Sequence, residues 1–538
     1  MEKATVVIIG GGATGVGILR DLAMRGVDAL LLEMRDLVHG TSSRYHGLLH
    51  SGARYAVKDS DAGRECIEEN MILRKIGRHC VEATEGFFVR LPEDDPAYEQ
   101  EWVEACKAIN LPAIQIDPAE AWHLEPNLTH RAQSVYRVPD AAIDGFRMAW
   151  QNVDSAKKYG GRVKTYTEVV KINSVNGQVI SVTVRDFFTK QEYDIECEFV
   201  VNAAGPWAGK VAGCADLMVN VQPDRGTLIA FNHRLTNRVI NRLHKSSDGD
   251  IFVPHGSITI LGTTSAAVQS PEDTQPLTSE VEYLLRIGEL TFENLRNFRI
   301  LRAFCGARPL YSADPNAKGR GASRGFIVLD HEYDGLKGFV SICGGKFTTY
   351  RMMAEQLTDL VCKKLHNDKP CCTAIEPLVE DISPQVLAKA RQYFPNFGVN
   401  LAASRLGEDR LKEVIDRIAE NPVKSELVCE CENVTMAEVE VAAEAPTSYT
   451  LGDIRRKTRM GMGTCQGAFC TFRGMGMVAQ SELIKDQDTL QEMKDFLQAR
   501  YKGISPVLWG STIREVELMR GIYDGVLNLD GEIFDEKN

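Results

Sequence analysis

The regular alternation of apolar and polar stretches is clearest at the start of the chain. Four consecutive β-branched residues at 6–9 predict a strand buried on both faces, as in a parallel sheet. Apolar residues at helical spacing follow over 18–23, and Gly26 closes that stretch. A second apolar strand over 29–32 ends on Glu33. The pattern predicts a strand–helix–strand unit.

Further along, the same reading predicts a mixed α/β chain. Alternating positions predict strands over 161–184, and a buried apolar run predicts another over 199–202. Strands over 228–232, 251–254 and 258–264 are typical of an antiparallel sheet within 215–335. A charged segment at 61–80 predicts a helix, and a short strand at 338–343 is followed by a predicted helix over 347–364.

Glycines at fixed spacing follow the first strand and suit a dinucleotide. Gly10 permits a tight turn, Gly12 lets the backbone approach a pyrophosphate, and Gly15 lets helix and strand pack closely. The following helix presents its N–H groups and partial positive charge to the phosphates. Glu33 is placed to accept the two hydroxyls of a ribose. The motif alone leaves FAD and NAD open.

Two later stretches favour FAD. The strand at 199–202 breaks into small residues, so Ala204 and Gly205 can bring backbone close to a cofactor. Gly345 and Lys346 lie in a Gly-Gly-Lys turn before a helix, a place suited to negative charge such as that of a reduced flavin. Val169 either presents its backbone to an adenine ring or is an ordinary core valine.

The loop at 36–55 is too rich in Gly, Ser, His and Arg for a core element. Because it follows the cofactor strand, we expect it beneath the reactive ring of the cofactor. Its expected cofactor contacts are Thr41, Ser42 and Ser43, and the residues expected to face the substrate are His46, His50, Arg54 and Tyr55. The alternative is a polar surface loop with incidental histidines.

Composition excludes some classes of function. The 538 residues are 44% hydrophobic and 25% charged, as in ordinary globular proteins, and can form more than one domain. A net charge of −12 argues against nucleic acid and against adhesion to anionic lipid by charge alone. No apolar run reaches the roughly 20 residues of a membrane span, and no signal peptide precedes the first strand. We therefore expect a cytoplasmic protein whose membrane association, if any, goes through a partner subunit.

Four of the 14 cysteines form a pattern near the C-terminus. Cys429 and Cys431 are separated by one residue, and Cys465 and Cys470 by four, with glycines around the second pair. Four thiolates on two loops suit a 2Fe–2S cluster or tetrahedral zinc, and we favour the cluster over zinc and over unligated thiols. The basic residues within 455–459 either form a solvated face or offset the negative charge of the cluster.

The predicted organisation has four parts. Residues 1–370 are expected to form one region, with a Rossmann-like FAD-binding part and an interleaved antiparallel-sheet substrate part. Residues 371–420, punctuated by prolines, are a connector. Residues 421–480 form a small iron–sulfur-binding α domain, and 481–538 a helical tail.

Several motifs together carry a family resemblance. GGGATGVG, HSGARY, VNAAGPWAG, GARPL and GGKFTTYR resemble the FAD-dependent glycerol-3-phosphate dehydrogenases of the D-amino-acid-oxidase-like superfamily. The cysteine tail resembles the bacterioferritin-associated-ferredoxin-like 2Fe–2S domain, although its second pair has four intervening residues where two are more usual.

The resemblance implies a reaction and a set of site residues. Hydride would pass from C2 of sn-glycerol 3-phosphate to FAD, with His50 as the base and Arg308 polarising the oxygen. The implied phosphate-binding residues are Arg54, Tyr55, Arg308, Arg324 and Lys346, and the implied FAD contacts are Gly10, Gly12, Gly15, Glu33, Thr41, Ser42, Ser43, Val169, Ala204, Gly205, Gly345, Lys346 and Thr348.

It also implies partners. Heteromeric members of this family pass electrons through iron–sulfur centres and partner subunits to a quinone. This chain would then be held at the inner face of the cell membrane by two partners, a second flavoprotein and a membrane-anchoring iron–sulfur protein. Three alternatives stay open from the residues: a flavin dehydrogenase for a small 2-hydroxy or amino acid, an NAD dehydrogenase, and a non-enzymatic electron-relay module.

Overall fold

The structure, a computed structural model, describes residues 2–245, 247, 249–311, 325–480, 488–529 and 531–534. The chain divides into two compact units. The first contains Met1–Thr274, Ser279–Phe298 and Phe304–Leu378, and the second contains Gln275–Thr278, Arg299–Ala303 and Val379–Asn538.

The secondary structure of the described residues alternates between strands and helices in the first unit and is mainly helical in the second. In chain order the strands are β1 (Glu2–Ile9), β2 (Ala29–Leu32), β3 (Leu48–Leu49), β4 (Val81–Glu82), β5 (Gly86–Arg90), β6 (Ile114–Ile116), β7 (Ser134–Val138), β8 (Ala141–Ile143), β9 (Arg162–Lys164), β10 (Thr167–Val175), β11 (Gln178–Asp186), β12 (Glu192–Asn202), β13 (Val221–Phe231), β14 (Val239–Arg242), β15 (Ile251–His255), β16 (Ile258–Gly262), β17 (Ala266–Ala267), β18 (Ile300–Tyr311), β19 (Phe326–Asp330), β20 (Phe339–Gly344), β21 (Leu427–Cys429) and β22 (Val434–Thr435). The helices are α1 (Ala13–Met24), α2 (Ser60–Ile76), α3 (Pro96–Ala108), α4 (Pro118–Leu124), α5 (Gly145–Lys158), α6 (Ala208–Gly213), α7 (Thr278–Gly288), α8 (Tyr350–Lys364), α9 (Pro384–Ala390), α10 (Asn396–Glu420), α11 (Met436–Ala443), α12 (Leu451–Thr458), α13 (Cys470–Gln480), α14 (Thr489–Ile504) and α15 (Ser511–Arg520).

The first sheet of the first unit has a parallel centre. β1 pairs in parallel with β2 on one side and β12 on the other, β2 pairs with β9, and β12 pairs with β20. Val6 and Ile8 pack into the core on one face of β1, whereas Val7 and Ile9 pack into the core on the other. The β-branched run is therefore buried on both faces, as its composition predicts.

Helices cover one face of this sheet and antiparallel strands extend it. α1 packs against α5 and α8, and the three helices share a core with β1, β2 and β12. β10 and β11 join antiparallel to β12, and β19 joins antiparallel to β20. The Rossmann-type α/β class predicted from the first 33 residues is confirmed.

The second sheet draws on two separate parts of the chain. Its order is β17-β13-β16-β15-β14-β5-β7-β6, with β18 beside β13. The β14–β5 pair is parallel and brings Gly86 opposite Val239, whereas the neighbouring pairs are antiparallel. The predicted sheet within 215–335 is thus completed by strands from 86–138, and the substrate part is interleaved with the cofactor part.

The bounds of two predicted helices differ from those expected. The helix expected over 61–80 is α2, which starts one residue earlier behind the Asp59 cap and ends at Ile76, followed by a short 3₁₀ turn. The helix expected over 347–364 begins with a 3₁₀ turn, Phe347–Thr349, and continues as α8.

The second unit is mainly helical and contains more than the cysteine pattern. α9 and α10 share a core with Ala437 and Val441 of α11, so the segment predicted as a connector contributes to this unit. The remaining helices pack around Cys429 and Cys470. The boundary between the two units follows Leu378 instead of residue 370. Within the described residues, none of the helices has the length and apolar character needed to cross a membrane.

Candidate active site

A cleft in the first unit opens where β1, β2, β12 and β20 reach their carboxyl ends. Ligands bind at this edge in doubly wound sheets. The predicted residues that line the cleft are Gly10, Gly12, Glu33, Thr41, Ser42, His50, Tyr55, Val169, Ala204, Gly205, Arg308, Gly345, Lys346 and Thr348. Gly15, Ser43 and Arg54 lie outside its lining, and Arg324 lies outside the described residues.

The glycines of the first turn are required by contact. Gly10 has a φ of +112°, and a Cβ there would lie 2.7 Å from the carbonyl oxygen of Ala203. A Cβ on Gly15 would lie 1.9 Å from the carbonyl oxygen of Gly10, so only glycine lets α1 pack this close to β1. Gly12 caps α1 in an extended conformation and lines the cleft. The helix N-terminus therefore faces open space suited to a pyrophosphate.

Glu33 is tied to that turn. Its carboxylate accepts hydrogen bonds from the backbone N–H of Gly11 at 2.7 Å and of Arg35 at 2.9 Å. Burial raises the pKa of Glu33, and the two N–H donors oppose that rise. The carboxylate both holds the glycine turn and lines the cleft, where its remaining lone pairs can accept ribose hydroxyls.

The hydroxyl run Thr41–Ser43 forms a 3₁₀ turn with distinct partners. Ser42 Oγ accepts from the backbone N–H of Ala13 at 2.9 Å, which holds the loop against the start of α1. Thr41 Oγ1 donates to the carbonyl of Ala307. Ser43 Oγ donates to the carbonyl of Gly40 at 3.2 Å, and its side chain stabilises the turn without lining the cleft.

Two further backbone approaches complete the cofactor side. Val169 lies in β10, where it lines the cleft and also packs in the core of the first unit. Gly205 has a φ of +56°, directly after Ala204. Gly345 has a φ of +76°, and a Cβ there would lie 2.3 Å from Met353 Sδ.

His50 sits among polar groups on the substrate side. Its backbone N–H donates to the buried Thr348 Oγ1 at 3.1 Å, and its Nε2 lies 3.5 Å from the hydroxyl of Tyr55. Lys346 Nζ lies 4.9 Å from the centroid of the Tyr55 ring. A base, a hydroxyl and a cation thus converge on one wall of the cleft.

Arg308 is a predicted phosphate-binding arginine that lines the cleft. One terminal nitrogen donates to the carboxylate of Asp224, and the other donates to Thr263 Oγ1 and, at 2.9 Å, to the carbonyl of Thr264. A Cβ on Gly226 would lie 2.3 Å from this guanidinium. The side chain is therefore fixed from β13 and from the turn after β16.

Arg54 is held in a buried ion pair beside residues of the cleft. Its guanidinium donates to Asp250 Oδ1 at 2.6 Å and to the carbonyl of Ser247 at 2.9 Å. His244 contacts the other oxygen of Asp250 at 2.7 Å. Burial opposes ionisation of Asp250, but Arg54 and His244 outweigh it and hold the pKa of this carboxyl below its usual value.

Sequence reasoning missed the acids that position these arginines. Asp224 and Asp250 are both about 2% exposed and lie in polar positions that no motif marks. Gly226 carried no signal either, because its role depends on a guanidinium 82 positions away. An acid in a predicted strand that continues into an apolar run, such as Asp224 ahead of 228–231 in β13, is the signal that could have pointed to a buried cation.

The cysteine region, residues 427–473, brings the four predicted thiols together in the second unit as two pairs. The thiols of Cys429 and Cys470 lie close enough to shift each other's pKa, with that of Cys470 raised, and the thiols of Cys431 and Cys465 do the same, with the pKa of Cys431 raised. The thiol of Cys431 and the backbone N–H groups of 467–469 lower the pKa of Cys465. Among the described residues, no three His, Cys, Asp or Glu side chains gather as a site for one metal ion.

Comparison with known proteins identifies the class. The family model described as "FAD dependent oxidoreductase" matches residues 5–360, which contain the glycine turn, the hydroxyl loop and the substrate wall. The solved glycerol-3-phosphate dehydrogenase from Bacillus halodurans complexed with FAD shares the fold, with a TM-score of 0.70 and 19% identity over 94% of this chain and 96% of that one. Fold, cleft and family model together define an FAD-dependent oxidoreductase.

Curated relatives narrow the class to a family. The A subunit of the anaerobic glycerol-3-phosphate dehydrogenase of Escherichia coli (strain K12) is 41% identical over 538 residues, covering 99% of this chain and 98% of its own length. Its counterpart in Haemophilus influenzae is 42% identical, covering 98% and 93%. The chain belongs to the family of anaerobic glycerol-3-phosphate dehydrogenase A subunits, and the resemblance of its oxidoreductase motifs to FAD-dependent glycerol-3-phosphate dehydrogenases is confirmed.

Proposed function

We propose that the protein oxidises sn-glycerol 3-phosphate to dihydroxyacetone phosphate with FAD as the acceptor. The observation that carries the proposal is the substrate wall of the cleft, where His50 and Tyr55 lie beside the cations Arg308 and Lys346. The names of the relatives at 41% and 42% identity point to the same substrate.

The residues of the cleft fit FAD. The turn at Gly10 leaves no room for a Cβ, α1 aims its N-terminus at the cleft, and Glu33 is available to a ribose. Val169, Ala204 and the hydroxyls of Thr41 and Ser42 line the rest of the cofactor side. Bound FAD supplies a two-electron acceptor for a hydride.

The cations suit a phosphomonoester. A dianion removed from water needs several charge-assisted donors, and the planar fork of arginine supplies them in parallel. Arg308 and Lys346 line the cleft. The positive charge of Arg54 lies close enough to lower the pKa of His46, which lines the cleft as well. We assign the phosphate to this group, together with Arg324.

The proton of the C2 hydroxyl needs an acceptor, and we assign it to His50. Its ring lies 5.2 Å from the Tyr55 ring, and Thr348 holds its backbone in place. Arg308, fixed by Asp224, would polarise the same oxygen. The residues thus divide the work: one accepts the proton, and the other stabilises negative charge on oxygen as it forms.

Anaerobic addition of substrate to the FAD-loaded protein tests the proposal. We expect sn-glycerol 3-phosphate to bleach the visible flavin absorbance, and sn-glycerol 1-phosphate and glycerol to leave it unchanged. Bleaching by a 2-hydroxy acid or amino acid in place of glycerol 3-phosphate would overturn the proposal in favour of a carboxylate substrate. A colourless protein that binds NAD would overturn it as well.

Removal of one cation sharpens the test. We expect Arg54→Ala to lower kcat/KM for glycerol 3-phosphate by about 100-fold, since a positive charge beside the phosphate is lost and Asp250 is left buried without its partner. Arg131→Ala, which breaks a surface pair with Glu93, is the matched control and should leave turnover unchanged. Unaltered turnover in Arg54→Ala would contradict the phosphate assignment.

We propose further that the cysteine region holds a 2Fe–2S cluster. Two pairs of thiols suit two irons with two thiolates each, whereas a single zinc ion requires four equivalent ligands. The backbone N–H groups of 467–469 at Cys465 are donors of the kind that thiolate sulfur accepts. A bound cluster would supply one-electron transfer.

Metal analysis separates the two alternatives. We expect two irons and two acid-labile sulfides per chain, both lost in Cys465→Ser and retained in Cys372→Ser, because Cys372 is an exposed thiol outside the four. One zinc per chain would overturn the cluster assignment. Substrate bleaching of the flavin should survive Cys465→Ser, since the reacting groups lie in the first unit.

Partner subunits complete the proposal. The relatives are named as A subunits, which supports a multi-subunit enzyme. We propose that this chain is held at the inner face of the cell membrane by a second flavoprotein and an iron–sulfur protein, which pass its electrons to a quinone. Co-purification with both partners, and quinone reduction that requires them, would be the expected results.

A further inference from the structure

His46 also lines the cleft, four positions before His50. Its backbone carbonyl contacts His255 Nε2 at 2.9 Å, and a Cβ on Gly47 would lie 2.1 Å from that same nitrogen. Glycine at 47 therefore lets His255 reach the loop. The backbone of His46 is fixed from β15, which lies elsewhere in the chain.

The ring of His46 is fixed as well. Its Nδ1 accepts a hydrogen bond from the backbone N–H of Leu48 at 3.1 Å. An imidazole that accepts at Nδ1 carries its proton at Nε2. Among the described residues, the bond at Nδ1 is the one hydrogen bond that this ring makes. The Nε2–H is therefore available to a ligand in the cleft.

The surroundings oppose any positive charge on this ring. Burial, together with the positive charges of Arg308 and Arg54 and with His255, lowers the pKa of His46 to about 3. His50 and Tyr45 are the other ring neighbours, with centroids 5.6 Å and 6.1 Å away. The ring is a neutral donor across the whole range in which a base such as His50 changes its charge.

We propose that His46 is a further catalytic residue, whose Nε2–H donates a hydrogen bond to the C2 oxygen of the substrate while His50 accepts the proton of that oxygen. The inference rests on the proposed function. The two rings meet edge to face at 5.6 Å, so one oxygen between them can contact both. Because Nδ1 of His46 is occupied, His46 cannot exchange roles with His50.

The step balances with these groups. The O–H bond at C2 breaks and its proton passes to His50. The C2–H bond breaks and both of its electrons leave with the hydrogen as a hydride to the flavin, so that the remaining C–O bond becomes a carbonyl. His46 neither gains nor loses a proton; it stabilises the negative charge on oxygen that exists between the two bond cleavages.

Two substitutions test the role of the Nε2–H. His46→Leu removes the donor, and we expect kcat to fall by about 100-fold or more, the usual cost of one donor to a developing oxyanion, with a smaller change in KM. His46→Gln retains a neutral amide donor of similar reach, and we expect it to recover at least a tenth of the wild-type kcat. FAD content and unfolding temperature check that both variants fold.

The pH profile separates donor from base. In His46→Gln the acidic limb of kcat/KM should stay where it is in the wild type, because His50 still titrates; in His50→Gln that limb should disappear. A limb that disappears in His46→Gln would make His46 the base and overturn the inference. Wild-type kcat in His46→Leu would overturn it as well.

Nitrogen NMR of the FAD-loaded protein labelled at histidine gives a readout without turnover. We expect one ring, identified by its absence in His46→Gln, with its proton on Nε2 and with no titration above about pH 5. A proton on Nδ1, or titration near neutral pH, would overturn the inference. Wild-type flavin that glycerol 3-phosphate fails to reduce would instead overturn the proposed function, and the NMR result would remain interpretable.

Discussion

The cleft and the cysteine region differ in whether their buried arginines have acid partners. In the cleft unit, Arg54 pairs with Asp250 at 2.6 Å, and Arg308 pairs with Asp224. In the cysteine region, the Arg455 side chain has neither an ion pair nor a hydrogen bond among the described residues, and its Nε is buried. The cleft thus pairs both of these arginines with an acid, and the cysteine region leaves Arg455 without an ion pair among the described residues.

The neighbours of Arg455 deepen that contrast. Burial lowers the pKa of Arg455, and the positive charges of Arg302, Arg456 and Arg459 lower it further. Arg500 is 3% exposed. Burial and the positive charges of Arg302 and Arg455 lower its pKa, and two of the thiols oppose that change. A buried positive charge is tolerated when a negative charge lies near it. Thiolates that hold an anionic cluster would supply that negative charge.

The difference separates two kinds of site. Arginines that the protein neutralises are held rigid before any ligand arrives, which suits orientation of a small substrate. Arginines without an acid partner destabilise the folded protein while no anion is bound. They stabilise it when an anionic group binds beside them. Three substitutions test this contrast, and we describe them from the largest expected effect to the smallest.

Breaking the Arg54–Asp250 pair should have the largest effect. Asp250→Leu leaves a guanidinium buried without its carboxylate, and we expect the free energy of unfolding of the first unit to fall by about 3–5 kcal/mol. The double variant with Arg54→Met should recover most of that loss, because no charge then remains to be compensated. Urea unfolding followed by tryptophan fluorescence measures both.

The pH dependence of this pair has a definite sign. The pKa of Asp250 is below its ordinary value of 3.8 in the folded protein, so the stability it contributes is present above that value and is lost as the pH falls through the folded pKa. A double variant as unstable as Asp250→Leu alone would show that the pair does not act by charge compensation.

Glu492 should show the opposite dependence. Burial, with smaller contributions from Asp453 and Asp495, outweighs the opposing N–H of Leu451 and raises the pKa of Glu492 to about 7. The folded protein therefore holds this proton more tightly than the unfolded chain, and stability is lost as the pH rises from about 4.5 through about 7.

Glu492→Gln cannot ionise and keeps an oxygen for the Leu451 N–H, 2.7 Å away in the wild type. We expect it to stabilise the second unit by on the order of 2 kcal/mol at pH 8 and by almost nothing at pH 4. Calorimetry at the two pH values measures the gain. Glu444→Gln, which breaks a half-exposed pair with Arg417, is the control and should show no such gain.

Arg455→Met should have the smallest effect, and its sign should depend on the cluster. In protein prepared without iron we expect a gain of about 1 kcal/mol, because an uncompensated buried charge is removed. In protein with the cluster we expect a lower reduction potential, since a nearby positive charge favours the added electron. Arg456→Met, which breaks a pair with Asp453 at 2.5 Å, should give no gain without iron.

The two variants read together decide the comparison. Equal effects of Arg455→Met and Arg456→Met in iron-free protein would mean that Arg455 is compensated in solution. A potential unchanged by Arg455→Met would mean that its charge does not act on the cluster. Either result would remove the contrast between the cleft and the cysteine region.

Much of the cofactor side could be predicted because its signals are local. Gly10, Gly12 and Gly15 lie within six consecutive residues. The β-branched run at 6–9 is buried on both faces, as expected for a central strand of a parallel sheet. The spacing of the four cysteines likewise pointed to thiols that meet. Each of these arguments needs only neighbouring residues and the geometry of a strand, a turn or a helix end.

The substrate side depended on contacts between distant parts of the chain. The Arg54–Asp250 and Arg308–Asp224 pairs join positions 196 and 84 residues apart. The pairing of Gly86 with Val239 inserts a strand that the expected sheet lacked. Spacing in sequence cannot predict such contacts, since they form only when both partners are brought together by the folding of everything between them.

The sequence by itself determined the class of fold, the cofactor turn and the family, because glycine conformation, hydrophobic periodicity and motif spacing are properties of adjacent residues. Tertiary structure alone decided which nitrogen of His46 accepts a hydrogen bond, which arginines have acid partners, and that 379–420 belongs to the second unit. Protonation and charge compensation depend on burial and on partners from other elements, and these exist only in the folded chain.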